Sequence, residues 1–336
     1  MCAAFLPDLQ ACRRALLIKP SSLGDLVHTL PAVHLLKQRF PQLAITWLVN
    51  PAFAPLLEGN PDLAETLAFP REHFRGPLGL ARFGRWLQQW RRREPPDVAL
   101  DFQGLLRSGL TARASGATLR LGLSDSREGA RFFHTHRIQV DPRAHAIERS
   151  LALPRALGAD GPLVFPLPQG NRPAALAELE IPPQAMVLHP FSRGPGKSLS
   201  AAQVIRLSEA LAPLPVFLVG RREMPLEGLP ANAHNLLNAT SLPELIWLIR
   251  RAHGVISVDS GPMHIAAALT PRVLSLHTWS DPRKVGPWHP GTTAWKADHF
   301  MPSDHLDPRL CALDSPFPDT ALAPVAAWAH QLPGVD

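Results

Sequence analysis

The chain has 336 residues, of which 46% are hydrophobic and 18% charged, enough apolar material for packed cores and too much for a disordered chain. No apolar run approaches the roughly 18 residues that a membrane-spanning helix needs, and Cys2, Cys12 and Cys311 form no CxxC and no even framework. A disulfide scaffold and a zinc finger are therefore not expected, and a reducing cytoplasm fits. The net charge of +6 is uneven: residues 1–168 carry +7 and residues 169–336 carry −1.

In chain order, the first fourteen residues contain Pro7 and Asp8 and end, rather than begin, with a basic pair, so they do not read as a secretory signal. They form an extension of about a dozen residues before the first strand, ALLIK (15–19). A helix is expected from Asp25 to Phe40, with Pro31 bending it or ending its first turn. AITWLV (44–49) reads as a second strand, 78–93 as a basic helix, and VALDF as a strand followed by a helix from Gly104 to Ser115. The segment 118–140 is irregular with short strands at its ends, and Ala144 to Leu157 is a further helix.

Residues 158–183, rich in Gly, Pro and Ala, read as a linker. A second alternating series follows: MVLHP (186–190), a helix from Ser200 to Leu211, VFLVG (216–220), and a helix from Leu242 to Ala252. GVISVD (254–259), a helix from Met263 to Leu269 and RVLSL (272–276) complete it. Residues 278–315 read as loops, and a last helix covers 320–332. Strand–helix alternation in two blocks predicts two parallel-sheet α/β domains. Ligands of such sheets bind beyond the carboxyl ends of the strands, so the expected site is a cleft between the domains.

The basic first half is expected to attract anions: a phosphorylated or carboxylated substrate, or an anionic membrane surface. A solvated arginine surface is the plain alternative. No nucleic-acid motif accompanies the charge. No DxD, GxSxG, HExxH or strand-following GxGxxG occurs, so the usual metal–nucleotide-sugar, hydrolase and dinucleotide signatures are missing. His134 and His136 read as surface or loop histidines rather than metal ligands.

Three constellations follow predicted strands. In Lys19-Pro-Ser-Ser-Leu-Gly-Asp, Gly24 permits a sharp turn, and Asp25 is either a helix N-cap or a general base. A helix N-terminus favours the ionised carboxylate, which weakens it as a base. In His189-Pro-Phe-Ser-Arg-Gly-Pro-Gly-Lys-Ser, Phe191 breaks the P-loop pattern and Pro195 removes an amide, yet Ser192 and Lys197 suit an anion. In GVISVDSGPMHIAAAL, Asp259, Ser260 and Gly261 open a helix with His264 one turn in. That is an anion site, or a helix capped by Asp259 with His264 packed nearby.

Together IKPSSLGDLVHTLPAV, LDFQGLLRSGL, HAIERSLALPRALG, LHPFSRGPGKSLS and VDSGPMHIAAAL resemble glycosyltransferase family 9, the ADP-heptose:lipopolysaccharide heptosyltransferases, most of all its heptosyltransferase I members. The resemblance spans about residues 15–275. It implies a GT-B fold: an acceptor-binding Rossmann-like domain (1–160), a linker (161–183), a nucleotide-sugar-binding Rossmann-like domain (184–315), and a C-terminal helix (316–336) packing back on the first domain. It implies inverting transfer of a heptose from ADP-L-glycero-D-manno-heptose to Kdo of the lipopolysaccharide core, with no metal and no cofactor. Asp25 matches the family's base. Lys197 matches its phosphate-neutralising lysine, in a loop one residue longer than usual, and Ser192 a diphosphate-contacting hydroxyl. Asp259, Ser260, Gly261 and His264 match the donor-binding segment, and Glu223 a ribose-binding carboxylate at a spacing one residue shorter.

Lys19, Arg107, Arg120 and Arg149 are candidates for the acceptor's anionic groups, from charge and motif position. Arg91, Arg92 and Arg93 are candidates for the anionic membrane face, or for a solvated helix end. The implied location is cytoplasmic, peripheral at the inner membrane. Three rival readings stand beside this one: a GT-B enzyme with another nucleotide sugar or acceptor, a P-loop NTPase or kinase built on Lys197-Ser198, and a non-catalytic glycan-binding protein.

Overall fold

The computed structural model describes residues 9–194 and 196–334, so Cys2, Pro195 and the first eight residues of the N-terminal extension lie outside the described residues. The chain divides into two units, Met1–Pro168 and Gln169–Asp336.

The first unit contains β1 (Arg14–Ile18), α1 (Leu23–Arg39), β2 (Ala44–Val49), β3 (Glu65–Ala68), α2 (Gly79–Trp90), β4 (Val98–Asp101), α3 (Leu106–Ala114), β5 (Leu119–Leu123), β6 (His136–Ile138) and α4 (Ala146–Ala156). Its strands pair in parallel in the order β3-β2-β1-β4-β5-β6. The second unit contains β7 (Met186–His189), α5 (Ala201–Ala210), β8 (Val216–Leu218), β9 (Ala233–Asn235), α6 (Leu242–Arg251), β10 (Gly254–Val258) and α7 (Gly261–Leu269). It continues with β11 (Val273–Leu276), α8 (Pro282–Val285), β12 (Thr293–Lys296), β13 (His299–Pro302), α9 (Pro308–Cys311) and α10 (Leu322–His330). Its order is β13-β12-β11-β10-β7-β8-β9, parallel except for the antiparallel edge strand β13.

Central strands of such sheets are covered on both faces, which selects continuous apolar runs. β4, β7, β10 and β11 are accordingly buried along their whole length. Helix starts are set by local chemistry. Ser200 and Gln203 exchange side-chain and backbone hydrogen bonds (3.2 and 2.9 Å) at the start of α5, and Ser241 and Glu244 do the same (3.4 and 2.7 Å) at α6. Hydrogen bonds from Ser241 hold the Glu244 carboxyl below its ordinary pKa.

Several expectations are revised. The loop region 278–315 contains two strands and two short helices, because Thr293–Lys296 finds a partner in β11 that its own sequence does not announce. The short strands β3 and β9 were likewise not read from the sequence. Within the second unit, the buried face of α10 (Leu322, Val325, Ala326, Ala329) belongs to that unit's core. That face supplies small and branched apolar side chains to the same cluster as Val204 and Leu207 of α5.

The expected linker 161–183 is packed. Asn60 donates to Pro166 O (3.1 Å), and Glu244 accepts from the Ala174 amide (3.1 Å). Gly170, at φ +74°, lies where a Cβ would sit 2.2 Å from Pro243 O. Gly170→Ala is therefore expected to cost about 1–3 kcal/mol, from overpacking and a left-handed backbone. Urea unfolding checks this, and wild-type stability in the variant would return the segment to a free linker.

Candidate active site

In the order 3-2-1-4-5-6 the chain winds in opposite directions from the first and fourth strands, which leaves a crevice at their carboxyl ends. In the first unit that crevice lies after β1 and β4. Trp47 fixes the end of β1 by donating its indole N–H to Lys19 O (2.9 Å). The Lys19 ammonium then crosses to the β4 loop, donating to Phe102 O at 3.1 Å, and lies 3.6 Å from Asp25 Oδ1. The Ser21 amide approaches Gln103 Oε1 at 3.4 Å, and Arg71 donates to Ser21 Oγ at 2.9 Å.

Ser22 is the N-cap of α1, so Asp25 is the third helical residue and not the cap. Its Oδ2 accepts the Ser22 amide (2.8 Å) and hydroxyl (2.6 Å), and its side chain is 43% exposed. Gly24, read as a turn residue, is the second residue of α1 and is buried.

The β4 loop is shaped from beneath. Asp101, fully buried, accepts from the amides of Gln103 (3.0 Å) and Gly104 (2.9 Å), from Ser108 Oγ (2.9 Å), and pairs with His134 Nε2 (2.9 Å). His134 lies in the loop before β6, as one of the two expected readings had it, but its imidazole is fully buried rather than on the surface. Gly122 admits it, since a Cβ there would sit 2.2 Å from the ring.

The other candidate cations of this unit have partners of their own. Arg149, on α4, is ion-paired to Asp125. Arg107 donates to Phe74 O (3.0 Å). Arg120 donates to Phe133 O and Ala117 O, both at 2.7 Å, which ties it to the backbone of this unit. Burial, with Arg113 nearby, lowers its pKa. A surface cavity of about 500 Å³, lined in part by His73, Arg82, Arg85 and Trp86, lies under α2 and involves none of the motif residues.

The second unit repeats the arrangement after β7 and β10. Ser192 Oγ donates to Asp259 O (3.0 Å), and the Lys197 ammonium binds Asp259 Oδ2 (2.9 Å). The same ammonium lies 4.3 Å from the centre of the Trp279 ring, a residue that sequence reasoning missed. α7 begins at Gly261 behind Ser260, and no side chain caps it, so Asp259 is not its cap. Ser260 Oγ instead meets His189 Nδ1 (3.1 Å). His264 is buried, close enough to Asp259 to act on its charge.

Burial pushes the Asp259 carboxyl up, but the cationic forms of His277 and His264, and Lys197 with its hydrogen bond, outweigh burial and hold it below its ordinary pKa. His277 is itself pushed down to about 4 by burial, so at neutral pH Lys197 is the effective charge rather than His277. Glu223 is exposed and has no ion-pair or hydrogen-bond partner among the described residues. Its neighbour Arg222 lies over the Phe191 ring (5.4 Å), which brings this loop to the one carrying Ser192 and Lys197. Lys197 stands four residues before α5 begins, whereas a P-loop lysine opens its helix, so the NTPase reading fails on geometry.

The comparisons with known proteins agree with this layout. The model of glycosyltransferase family 9 (heptosyltransferase) matches residues 85–306. The chain belongs to that family. Lipopolysaccharide heptosyltransferase 1 of Pseudomonas aeruginosa is 30% identical over 301 residues, covering 83% of this chain and 80% of the relative. The structure of E. coli heptosyltransferase WaaC with ADP superposes with a TM-score of 0.72 at 21% identity, over 94% of this chain and 99% of that one. E. coli ADP-heptose LPS heptosyltransferase II gives 0.70 at 20% identity, over 95% and 99%. The fold is thus GT-B, and the protein is a glycosyltransferase of the heptosyltransferase family. Among the described residues no helix is long and apolar enough to cross a membrane.

Burial holds His189 and His277 neutral, each at about 4 against an ordinary 6.5. An unfolded chain would protonate both below 6.5. Their contribution to stability is therefore complete above about pH 6.5 and is lost as pH falls towards 4. Urea midpoints measured from pH 7.5 to 4.5 are expected to decline over that window, and less so in His277→Asn. A flat profile in the wild type would mean that these imidazoles are not buried neutral.

Proposed function

We propose that the protein transfers a heptose from ADP-L-glycero-D-manno-heptose to a Kdo residue of the lipopolysaccharide inner core, with inversion and without a divalent metal. The observation that carries this reading is the Lys197 ammonium, held between Asp259 and Trp279 at the carboxyl ends of β7 and β10, beside the uncapped start of α7. A diphosphate needs a cation, hydroxyls and free amides in one place, and Lys197, Ser192 and the α7 start supply them.

In this reading Asp25 takes the proton from the acceptor hydroxyl as that oxygen attacks the anomeric carbon from the face opposite ADP. The bond from the anomeric carbon to the diphosphate oxygen breaks, and ADP leaves with the electron pair. Lys197, Ser192, the α7 amides and His264 stabilise the charge that grows on that oxygen. Glu223, unpartnered, is available to the donor's ribose hydroxyls. Lys19, held beside Asp25, receives the Kdo carboxylate, and Arg149 and Arg107 stand for further anionic groups. The absence of a DxD supports transfer without metal.

The relatives support the donor and the acceptor class. The P. aeruginosa protein is named for lipopolysaccharide, and an E. coli structure carries ADP-2-deoxy-2-fluoro heptose. We further place the protein at the cytoplasmic face of the inner membrane. The +7 charge of the first half supports this, together with exposed Arg91, Arg92, Leu78 and Leu80.

Transfer from ADP-heptose to Kdo₂-lipid A in EDTA tests the reading. Wild type is expected to transfer. Asp25→Asn is expected to lose about 10²–10⁴-fold in kcat while binding ADP as wild type does. Wild-type transfer that survives in Asp25→Asn would remove Asp25 as the base. ADP binding without transfer to this acceptor would point to another acceptor.

A further inference from the structure

Lys296 is fully buried on β12, and among the described residues no carboxylate lies within ion-pair distance of its ammonium. Its hydrogen bonds go to two backbone carbonyls, Thr278 O and, at 3.1 Å, Ser280 O. Burial pushes its pKa down, while Asp314, Asp281 and Asp259 act from farther off in the opposite sense. A buried cation without a counter-ion costs stability, and a plain apolar residue would cover β12 at no such cost. Its two acceptors flank a single residue, Trp279.

The loop 278–280 is tied from other sides as well. His277 Nδ1 meets Ser280 Oγ (3.0 Å), Thr278 Oγ1 donates to Gly196 O (2.8 Å), and the Ser315 amide donates to Thr278 O (3.2 Å). Trp279 is thereby held with half of its surface exposed and its ring 4.3 Å from the Lys197 ammonium. The ring and Asp259 act differently on that ammonium. An incoming diphosphate competes with the Asp259 carboxylate for the same N–H donors. The ring face attracts the cation without taking a donor, so it stays in place when the anion arrives.

We propose that Trp279 sets the affinity of this site for a nucleoside diphosphate by backing the Lys197 ammonium, and that Lys296 is the positioning residue that holds Trp279 there. The proposal rests on the reading of Lys197 as a phosphate-binding lysine. It adds to it a third wall, drawn from the β11–β12 side of the sheet, and assigns a use to a buried lysine outside the motifs.

The test is ADP titration by calorimetry, with donor KM and kcat for heptose transfer measured alongside. Trp279→Phe keeps a ring and should bind ADP within about twofold of wild type. Trp279→Leu should weaken binding about fivefold. Lys296→Met should weaken it at least as much, and the double variant should be no weaker than Lys296→Met alone, since one residue acts through the other. Donor KM should rise in parallel. ADP should also quench tryptophan fluorescence in the wild type and quench it less in Trp279→Phe.

Wild-type ADP affinity in Trp279→Leu, or losses that simply add in the double variant, would overturn the inference and leave the proposed function standing. A wild-type protein that binds no ADP would overturn both. Should Lys296→Met fail to fold, as circular dichroism would show, the two variants of the exposed Trp279 still decide the matter.

Discussion

The reversal of winding between β1 and β4, repeated between β7 and β10, is the constraint on which the rest depends. Parallel strands send their following loops to the same edge. At a reversal the two neighbouring loops part and leave a crevice between them. Each unit fills that place with a lysine. Lys19 reaches from the β1 loop to the β4 loop, and Lys197 reaches from the β7 loop to the residue just after β10. The two sites differ in what the lysine meets. In the first, a carbonyl takes the hydrogen bond and Asp25 stands 3.6 Å off, half exposed. In the second, the carboxylate is bonded directly and mostly buried.

That difference bears on the chemistry. In the proposed transfer Asp25 accepts a proton, which requires it to be reachable, and its side chain is 43% exposed. A carboxylate that must hold an ammonium in place is better buried, where the pairing is strong and screening is weak. Asp259 is of that kind. The surrounding groups are consistent with this division. His189 and His277 are pushed down to about 4, so neither supplies a fixed positive charge there at neutral pH, and the ammonium bonded to Asp259 is that of Lys197. Asp101 plays a similar supporting part in the first unit. Its four donors shape the β4 loop that Lys19 holds.

Much of this was legible in the sequence. A central parallel strand is buried on both faces, so it must be a short continuous apolar run, and ALLIK, VALDF, MVLHP and GVISVD are read without ambiguity. Loops at the carboxyl ends of such strands carry function, so Lys19, Asp25, Ser192, Lys197 and Asp259 could be picked by position as well as by their resemblance to a family. Four short strands in the outer parts of the sheets were not legible. β3, β9, β12 and β13 are three or four residues long, and their conformation comes from the neighbour they pair with. Charge counts also do not show that two backbone carbonyls take part of the Arg120 guanidinium's donors.

By itself, the sequence determined two α/β blocks, the order of their central strands and helices, the polar loops that follow those strands, and membership of a glycosyltransferase family. These follow from local apolar periodicity and from motifs a few residues long. Only the tertiary structure decided which distant groups share a site. Lys197 meets a carboxylate 62 residues away, and Lys296 binds carbonyls 16 and 18 residues before it across the β11–β12 pairing. His134 enters a core beside an aspartate 33 residues earlier because a glycine leaves it room. The physical reason is the same in each case. A polar side chain removed from water must find its partner wherever the fold puts one, and that place is fixed by strand pairing and packing, not by neighbours in the chain.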